Sequence, residues 1–194
     1  MIPRMDNNSR SERTRALVIQ SALAIIARDG PNRLTLDAIA KEAGISKGGV
    51  MHQFPTKEAV LRALLDHQRD HFRQSSERYL AEHGAEHTHP NLAGHLAGAR
   101  AAATESNSVA LAIMAAMAQE PSLLSSVLER DREHLRAIRE ESRDPDLATL
   151  RWEAARGIVV THLLGMSPLS AEDRDRLFAR LLDDKRWEDL PASH

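Results

Sequence analysis

The sequence predicts an all-α protein of nine helices, with three helices in a small N-terminal domain and the rest in a larger C-terminal helical domain. Ala, Leu, Arg and Glu dominate, and the alternation of β-branched and polar residues that marks strands is absent. Glycine and proline interrupt the chain at intervals of helical length, often beside a Ser, Thr, Asp or Asn that can cap a helix. The 194 residues are enough to bury a core without disulfides or metals.

The first predicted helix is capped by Asn8 or Ser9 and runs to Asp29, where Gly30 ends it. Its apolar residues recur at spacings of one and three, which places them on a single helical stripe. Three helices with a polar cap and a clear stop follow. They are Leu36–Ala43, Lys47–Gln53 and Lys57–His83, preceded by Thr35, Ser46 and Thr56.

The second half of the chain is predicted to form five further helices, joined mostly by connectors that contain proline. They are expected at about Asn91–Glu105, Ser108–Gln119, Ser122–Ser142, Asp146–Gly165 and Ala171–Asp184. Residues 9–56 then form the first domain and residues 57–184 the second. Residues 1–8 and 185–194 are expected to be flexible tails.

Composition excludes several classes of protein. The chain has no cysteine, which excludes a disulfide framework, a thiol nucleophile and a thiolate metal site. Two Trp, one Tyr and three Phe are too few for a platform that stacks single-stranded nucleic acid. No apolar run approaches ~18 residues and no signal peptide is visible, so a cytoplasmic protein is expected. Residues 1–60 hold nine Lys/Arg against six Asp/Glu, so any polyanionic partner is expected to meet this part of the chain.

The segment Thr35–Phe54 has the layout of a helix-turn-helix motif. It reads TLDAIAKEAGISKGGVMHQF: a two-turn helix, a three-residue turn that starts at Gly44, and a second short helix. Gly44 can adopt the left-handed backbone that the turn needs, and the small Ala40 lets the two helices cross closely. The alternative is an αα-corner in a structural bundle. The run FPTKEAVLRALL directly after the segment favours the DNA-binding motif.

The run LTLDAIAKEAGISKGGVMHQFPTKEAVL resembles the TetR family of bacterial transcriptional repressors. The resemblance covers about residues 13–65 at motif level, and the nine-helix length fits the whole chain. It implies a TetR-like architecture, with a DNA-binding head and a helical body for ligand binding and dimerisation. Three positions depart from the common pattern: Gly49 stands where many members have Thr, Met51 where a tyrosine is usual, and Gln53 where an aromatic residue is frequent.

The resemblance also implies a set of DNA contacts. Lys47, at the start of the recognition helix, is expected to reach a phosphate or a guanine edge, and Lys57 to hold the backbone. Gly48 and Gly49 let the helix backbone approach DNA closely, at a helix-propensity cost of ~1 kcal/mol each. The full set is Thr35, Ser46, Lys47, Gly48, Gly49, Met51, His52 and Lys57. A basic lead-in either reaches the minor groove or is a solvated tail: Arg10, Arg13 and Arg15.

In the body, the resemblance implies a ligand cavity and a homodimer interface. An apolar cavity is expected beside the fourth helix, although plain core packing explains the same residues. Its candidates are His67, His71, Met114 and Met117. Two amphipathic stripes near the C-terminus are expected either to form a four-helix interface with a second subunit or to cover the core as an intramolecular hairpin. Their candidates are Trp152, Ala155, Val159, His162, Leu163, Phe178 and Leu181.

These residues predict a ligand-responsive regulator that binds a pseudo-palindromic double-stranded DNA operator as a homodimer, as a repressor released by a small molecule. No cofactor is expected, and the i,i+4 pair His67 and His71 is better explained as surface histidines than as a metal site. No GxSxG, P-loop, GxGxxG or HExxH motif occurs, so an enzyme is not expected. The alternative is a structural helical interaction module without DNA binding, against which the glycine pair argues.

Overall fold

The computed structural model of the chain describes residues 7–104 and 121–188. These residues form nine α-helices and two 3-10 turns and include no strand, so the all-α class is confirmed. None of the described helices is long and apolar enough to cross a membrane. The described residues divide into two compact units, 7–68 with 121–123 and 69–104 with 124–188.

The first unit contains three helices and the start of a fourth: α1 (Asn7–Asp29), α2 (Leu36–Ala43), α3 (Lys47–Gln53) and α4 (Lys57–His83). The last three have the predicted bounds because their end signals are local. Thr35, Ser46 and Thr56 each accept a hydrogen bond from the backbone N–H three residues later, which fixes where each helix starts. Gly44 ends α2 with a φ of 64°, in the left-handed region that favours glycine.

The hydrophobic core of the first unit joins all four helices. Val18 of α1, Ile39 of α2 and Val50 of α3 are fully buried in it. Burial of an aliphatic side chain of this size stabilises a fold by ~1.5–3 kcal/mol, so these contacts hold α2 and α3 against α1. The first turns of α4 add Val60 and Leu64 to the same core. The compact unit therefore extends beyond residue 57, where the sequence places the domain boundary.

Within the described residues, the second unit contains the rest of α4 and five further helices, the first residues of one of which, Pro121–Glu141, belong to the first unit. Their bounds are α5 (Pro90–Thr104), α6 (Pro121–Glu141), α7 (Pro145–Leu163), α8 (Ala171–Leu182) and α9 (Lys185–Glu188). α5 packs against α7 and α8 around Leu92, Leu96 and Phe178. Four of the five predicted helices are confirmed to within two residues at each end. The fifth, predicted at Ser108–Gln119, lies outside the described residues.

The segment from residue 185 onward, which the sequence predicts to be a flexible tail, begins with a short helix. Lys185–Glu188 form α9, and the indole Nε1 of Trp187 donates to the carbonyl oxygen of Arg180 at 2.9 Å. The guanidinium of Arg151 lies 5.4 Å from the centre of the Trp187 ring. These two contacts place Trp187 against α7 and α8, which the sequence did not indicate.

A buried polar network joins the end of α8 and the following Asp184 to α7 and to His87. Arg151 donates from Nη2 to Asp184 Oδ1 at 2.7 Å, and from Nε to the carbonyl oxygen of Leu181 at 3.1 Å. His87 Nδ1 lies 3.1 Å from the other oxygen of Asp184, and His87 Nε2 lies 2.8 Å from the Tyr79 hydroxyl. Burial opposes ionisation of Asp184, but hydrogen bonds from Arg151 and His87 hold its pKa below the usual value. The carboxylate therefore stays charged and pairs with Arg151.

A histidine pair lies between α5 and α6 in the same unit. The ring centres of His95 and His134 are 4.3 Å apart, and the indole of Trp152 meets His95 edge-on. Burial, and secondly the nearby His134, lower the pKa of His95 to about 4. His95 is therefore neutral at neutral pH.

Candidate nucleic-acid interface

The recognition helix α3 presents one face to the core and the other to solvent. Val50 is fully buried and anchors the helix. Lys47, Gly48, Met51 and His52 are exposed, and Gly49 is half-exposed. Met51, with 46% of its surface accessible, is a large apolar side chain that an isolated subunit leaves in water. The predicted reading residues of α3 thus share a surface that is available for contact.

The helices α2, α3 and α4 each begin at a residue whose side-chain hydroxyl caps the helix. Thr35 Oγ1 accepts from the Ala38 N–H at 3.0 Å, and Thr56 Oγ1 accepts from the Ala59 N–H at 3.1 Å. Ser46 Oγ caps α3 in the same way. Each hydroxyl also carries a proton that a phosphate oxygen can accept. The N-termini of α2 and α4 therefore combine a hydroxyl donor with the positive end of a helix dipole, which suits phosphate binding.

The two glycines of α3 are not required by the fold. A Cβ added at Gly48 would have Ser46 Oγ as its nearest neighbour, at 4.0 Å. At Gly49 the nearest atoms would be Ser46 Oγ at 3.4 Å and Ile45 Cδ1 at 3.8 Å, which is ordinary contact. Neither glycine has a positive φ, in contrast to Gly44. The helix thus forgoes the stability that alanine would give, and no packing constraint within the described residues explains this.

Lys47 is engaged by an acidic residue that the sequence analysis did not single out. Its Nζ donates to Asp37 Oδ2 at 2.9 Å. The side chains of Lys47 and Asp37 are 53% and 70% exposed, so the ion pair lies in water. The signal that was available is a pair of opposite charges, each in the first turn of one of the two motif helices.

Two contacts join α1 to the end of α3. Gln53, where the family often has an aromatic residue, donates from Nε2 to Ser11 Oγ at 3.1 Å. The guanidinium of Arg15 lies 4.5 Å from the centre of the Phe54 ring. Arg15 therefore packs on the domain, and this cation–π contact favours neither of the two expectations for the basic lead-in.

A cleft of about 1010 Å³ lies beside Thr35, between the end of α1 and α2. Arg28, Arg33 and Lys41 line it together with Asp29 and Glu42. Arg28 bonds both carboxylates, and its hydrogen bond holds the pKa of Glu42 below the usual value. The lining has three basic and two acidic side chains, so it carries a net positive charge. Arg33, two residues before Thr35, is a basic residue that sequence reasoning missed.

The predicted ligand-pocket residues are only partly described. His67 and His71 are exposed on α4. Met114 and Met117 lie outside the described residues. The pocket is therefore still a prediction.

The predicted dimer residues lie mainly on the inner faces of α7 and α8. Val159 and His162 are half-buried, and burial lowers the pKa of His162. The other five are buried in the chain's own core: Trp152, Ala155, Leu163, Phe178 and Leu181. Buried side chains have little surface to offer a second subunit.

The opposite face of α7 is exposed and mostly apolar or small. At 100° per residue, its members fall within one side of the helix. Leu150 and Val160 have 66% and 40% of their surfaces accessible, and a Cβ at Gly157 would meet no atom within 4 Å. We call this set the outer face of α7: Leu150, Ala154, Gly157, Val160 and the following Leu164.

Comparison with known proteins matches both parts of the chain. Residues 18–64 match the family described as "Bacterial regulatory proteins, tetR family". Residues 91–184 match the "Tetracyclin repressor-like, C-terminal domain". The chain belongs to the TetR family. The resemblance drawn from residues 13–65 is therefore confirmed, and the family matched is one of bacterial regulatory proteins.

Two relatives described as HTH-type transcriptional regulators match part of the chain, and a solved structure has a similar fold. The chain is 43% identical over 54 residues to the regulator YuxN of Bacillus subtilis (strain 168), and 40% identical over 55 residues to the regulator SrpR of Pseudomonas putida. Each match spans 28% of this chain, but only 19% of YuxN and 26% of SrpR. The multidrug binding protein EbrR in complex with imidazole is 22% identical, with a TM-score of 0.64 and full coverage of both chains.

Proposed function

We propose that this TetR-family chain is a transcriptional repressor that binds a pseudo-palindromic operator as a homodimer and releases it when a small molecule binds. The observation that carries the proposal is the solvent-facing side of α3. Its exposed Lys47, Met51 and His52 flank two glycines that the fold does not need. A surface of this kind suits close insertion of a short helix into the major groove.

Phosphate contacts would hold the recognition helix in register. The hydroxyl-capped N-termini of α2 and α4 supply two kinds of donor, the cap hydroxyl and the backbone N–H groups of the first helical turn. Lys57 adds a positive charge at the start of α4. Such contacts position a protein on DNA without reading its sequence, so base discrimination would fall to Lys47, His52 and Met51.

The homodimer would place two recognition helices on successive turns of the major groove, ~34–36 Å apart. We assign the interface to the outer face of α7, because a two-fold axis brings the same surface of both subunits together. Ala154 and Gly157 would let two α7 helices cross closely, while Leu150, Val160 and Leu164 supply apolar area. The α7 residues that the sequence predicted for the interface, such as Trp152 and Ala155, would pack beneath this face in the chain's own core.

The small-molecule effector is inferred from the family and from EbrR, which is described as a multidrug binding protein in complexes with imidazole and with ethidium. The candidate pocket remains His67, His71, Met114 and Met117. An effector need shift the DNA-binding equilibrium by only ~1–3 kcal/mol, because that changes affinity ~5–150-fold.

A fluorescence-anisotropy titration with duplex DNA from upstream of the chain's own gene tests the proposal. We expect tighter binding to this duplex than to a shuffled duplex, and weaker binding after Lys47→Ala. Lys185→Ala, an exposed lysine of the second unit, is the matched control and should bind like the parent. Equal affinity for both duplexes would contradict a repressor that recognises this sequence, and no binding at low salt would favour the structural interaction module.

A further inference from the structure

We infer that Asp37 restrains Lys47 and thereby lowers the affinity of the recognition helix for DNA of any sequence. The inference rests on the proposed function and assigns a selectivity role to a residue outside the expected contact set. Lys47 Nζ lies 2.9 Å from Asp37 Oδ2, at the distance of a charge-assisted hydrogen bond. In the unbound chain, the Lys47 ammonium group that would meet a phosphate or a guanine edge is thus already paired with a carboxylate.

The ion pair between Lys47 and Asp37 is weak enough for DNA to displace Asp37. Both side chains are more than half exposed, so water screens their attraction and the lysine can exchange partners. The separation in sequence is ten residues, from the first turn of α2 to the first residue of α3. The ion pair thus links α2 to α3 across the turn of the motif, and this link is lost when Lys47 binds DNA.

Asp37 also weakens DNA binding in a second way, by direct repulsion of phosphate. It lies two residues after Thr35, in the first turn of α2, where its carboxylate stabilises the positive end of the helix dipole. That same end is a proposed phosphate site, so the carboxylate and an incoming phosphate repel each other. The residue therefore favours the folded head and disfavours its polyanionic partner.

The consequence is discrimination between sequences. On random DNA, Lys47 gains only a phosphate contact, which must compete with Asp37. On an operator, a guanine edge offers Lys47 a second set of acceptors that can replace the carboxylate. Asp37 thus weakens random binding more than operator binding.

The test is a double-mutant cycle on the full chain, with a random-sequence 30-base-pair duplex as the probe. We expect Asp37→Asn to bind it about two- to fivefold more tightly, the factor that exposed ion pairs imply. The slope of log affinity against log salt should also steepen by about 0.9, the value for one added phosphate contact. In a Lys47→Ala background the gain from Asp37→Asn should shrink, because no lysine remains to be released.

Two control variants separate this role from a structural one. Asp37→Glu keeps the charge and should bind like the parent. Asp146→Asn removes an equivalent acid from the first turn of α7, where it pairs with Arg139 at 3.1 Å, and should leave DNA affinity unchanged. Melting temperatures check that the variants fold.

Three outcomes overturn the inference. Unchanged or weaker binding by Asp37→Asn would show that the carboxylate does not restrain Lys47. Equal gains with and without Lys47 would show that Asp37 acts by general repulsion alone. If the parent binds no duplex even at low salt, the proposed function fails and the inference fails with it, whereas a parent that binds while Asp37→Asn changes nothing overturns the inference alone.

Discussion

Replacing the glycines of α3 with alanine should strengthen the fold and weaken DNA binding at the same time. A Cβ fits at both positions: its nearest neighbour would be 4.0 Å away at Gly48 and 3.4 Å away at Gly49. Alanine is favoured over glycine in helices by ~0.5–1 kcal/mol. For a chain of this length, each substitution should raise the melting temperature by ~1–4 °C.

The same methyl groups should impair DNA binding, because they fill the space in which the backbone of α3 meets the groove. We expect at least a tenfold loss of affinity for each variant, which corresponds to ~1.4 kcal/mol. Stability and affinity thus change in opposite directions. A substitution that merely damaged the head would lower both.

Thermal melts and anisotropy titrations on Gly48→Ala and Gly49→Ala measure the two effects. Gly84→Ala is the matched control, since its Cβ would meet only the Leu80 side chain, with Cβ at 3.8 Å and Cδ2 at 3.9 Å, in the second unit. It should leave DNA affinity unchanged. If Gly48→Ala and Gly49→Ala bind DNA as tightly as the parent, α3 does not approach DNA closely at these residues. If they lower the melting temperature, the structural argument about available space is wrong.

Three further predictions concern single charged or apolar residues. Lys57→Ala should weaken binding to every duplex about equally and reduce the salt slope by ~0.9, and an unchanged slope in a salt titration would remove Lys57 from the phosphate contacts. Val160→Glu should give folded monomers by sedimentation, because Val160 is 40% exposed in one chain but central to the proposed interface; a variant that still forms dimers would refute the assignment. His95, with a pKa of about 4 in the fold against the ordinary 6.5, takes up a proton first in the unfolded chain as the pH falls. Its contribution to stability is therefore present above pH 6.5 and is lost between about pH 6.5 and 4. Between pH 7 and 5 this loss is about 2 kcal/mol, and His95→Gln should reduce it in urea unfolding. An equal loss in parent and variant would contradict the assignment.

Sequence reasoning succeeded where the signal was local. The helix from Leu36 to Ala43 was predicted with its observed bounds, because Thr35 starts it and the left-handed Gly44 ends it. It did not indicate the helix at residues 185–188, where Trp187 donates to the carbonyl of Arg180 and its ring faces Arg151. No pattern of neighbouring residues encodes such a contact.

The two sides of α7 show a subtler limit. Trp152 and Ala155 on the inner side are as apolar in sequence as Leu150 and Val160 on the outer side. Periodicity identifies a helix with apolar residues but cannot decide which side meets the chain's own core. The same limit applies to Lys47 and Asp37: the sequence shows opposite charges in the first turns of two helices, but their contact is visible only once the two helices are placed together.

The buried contact between Arg151 and Asp184 has a genetic consequence. A stop codon at position 184 would remove Asp184, which closes the buried contact, although every helix from α1 to α8 would remain encoded. It would also leave the guanidinium of Arg151 buried without its carboxylate, a defect of ~3–5 kcal/mol, a large share of the stability of a typical domain. A nonsense allele that ends the chain before Asp184 should therefore yield a markedly less stable protein.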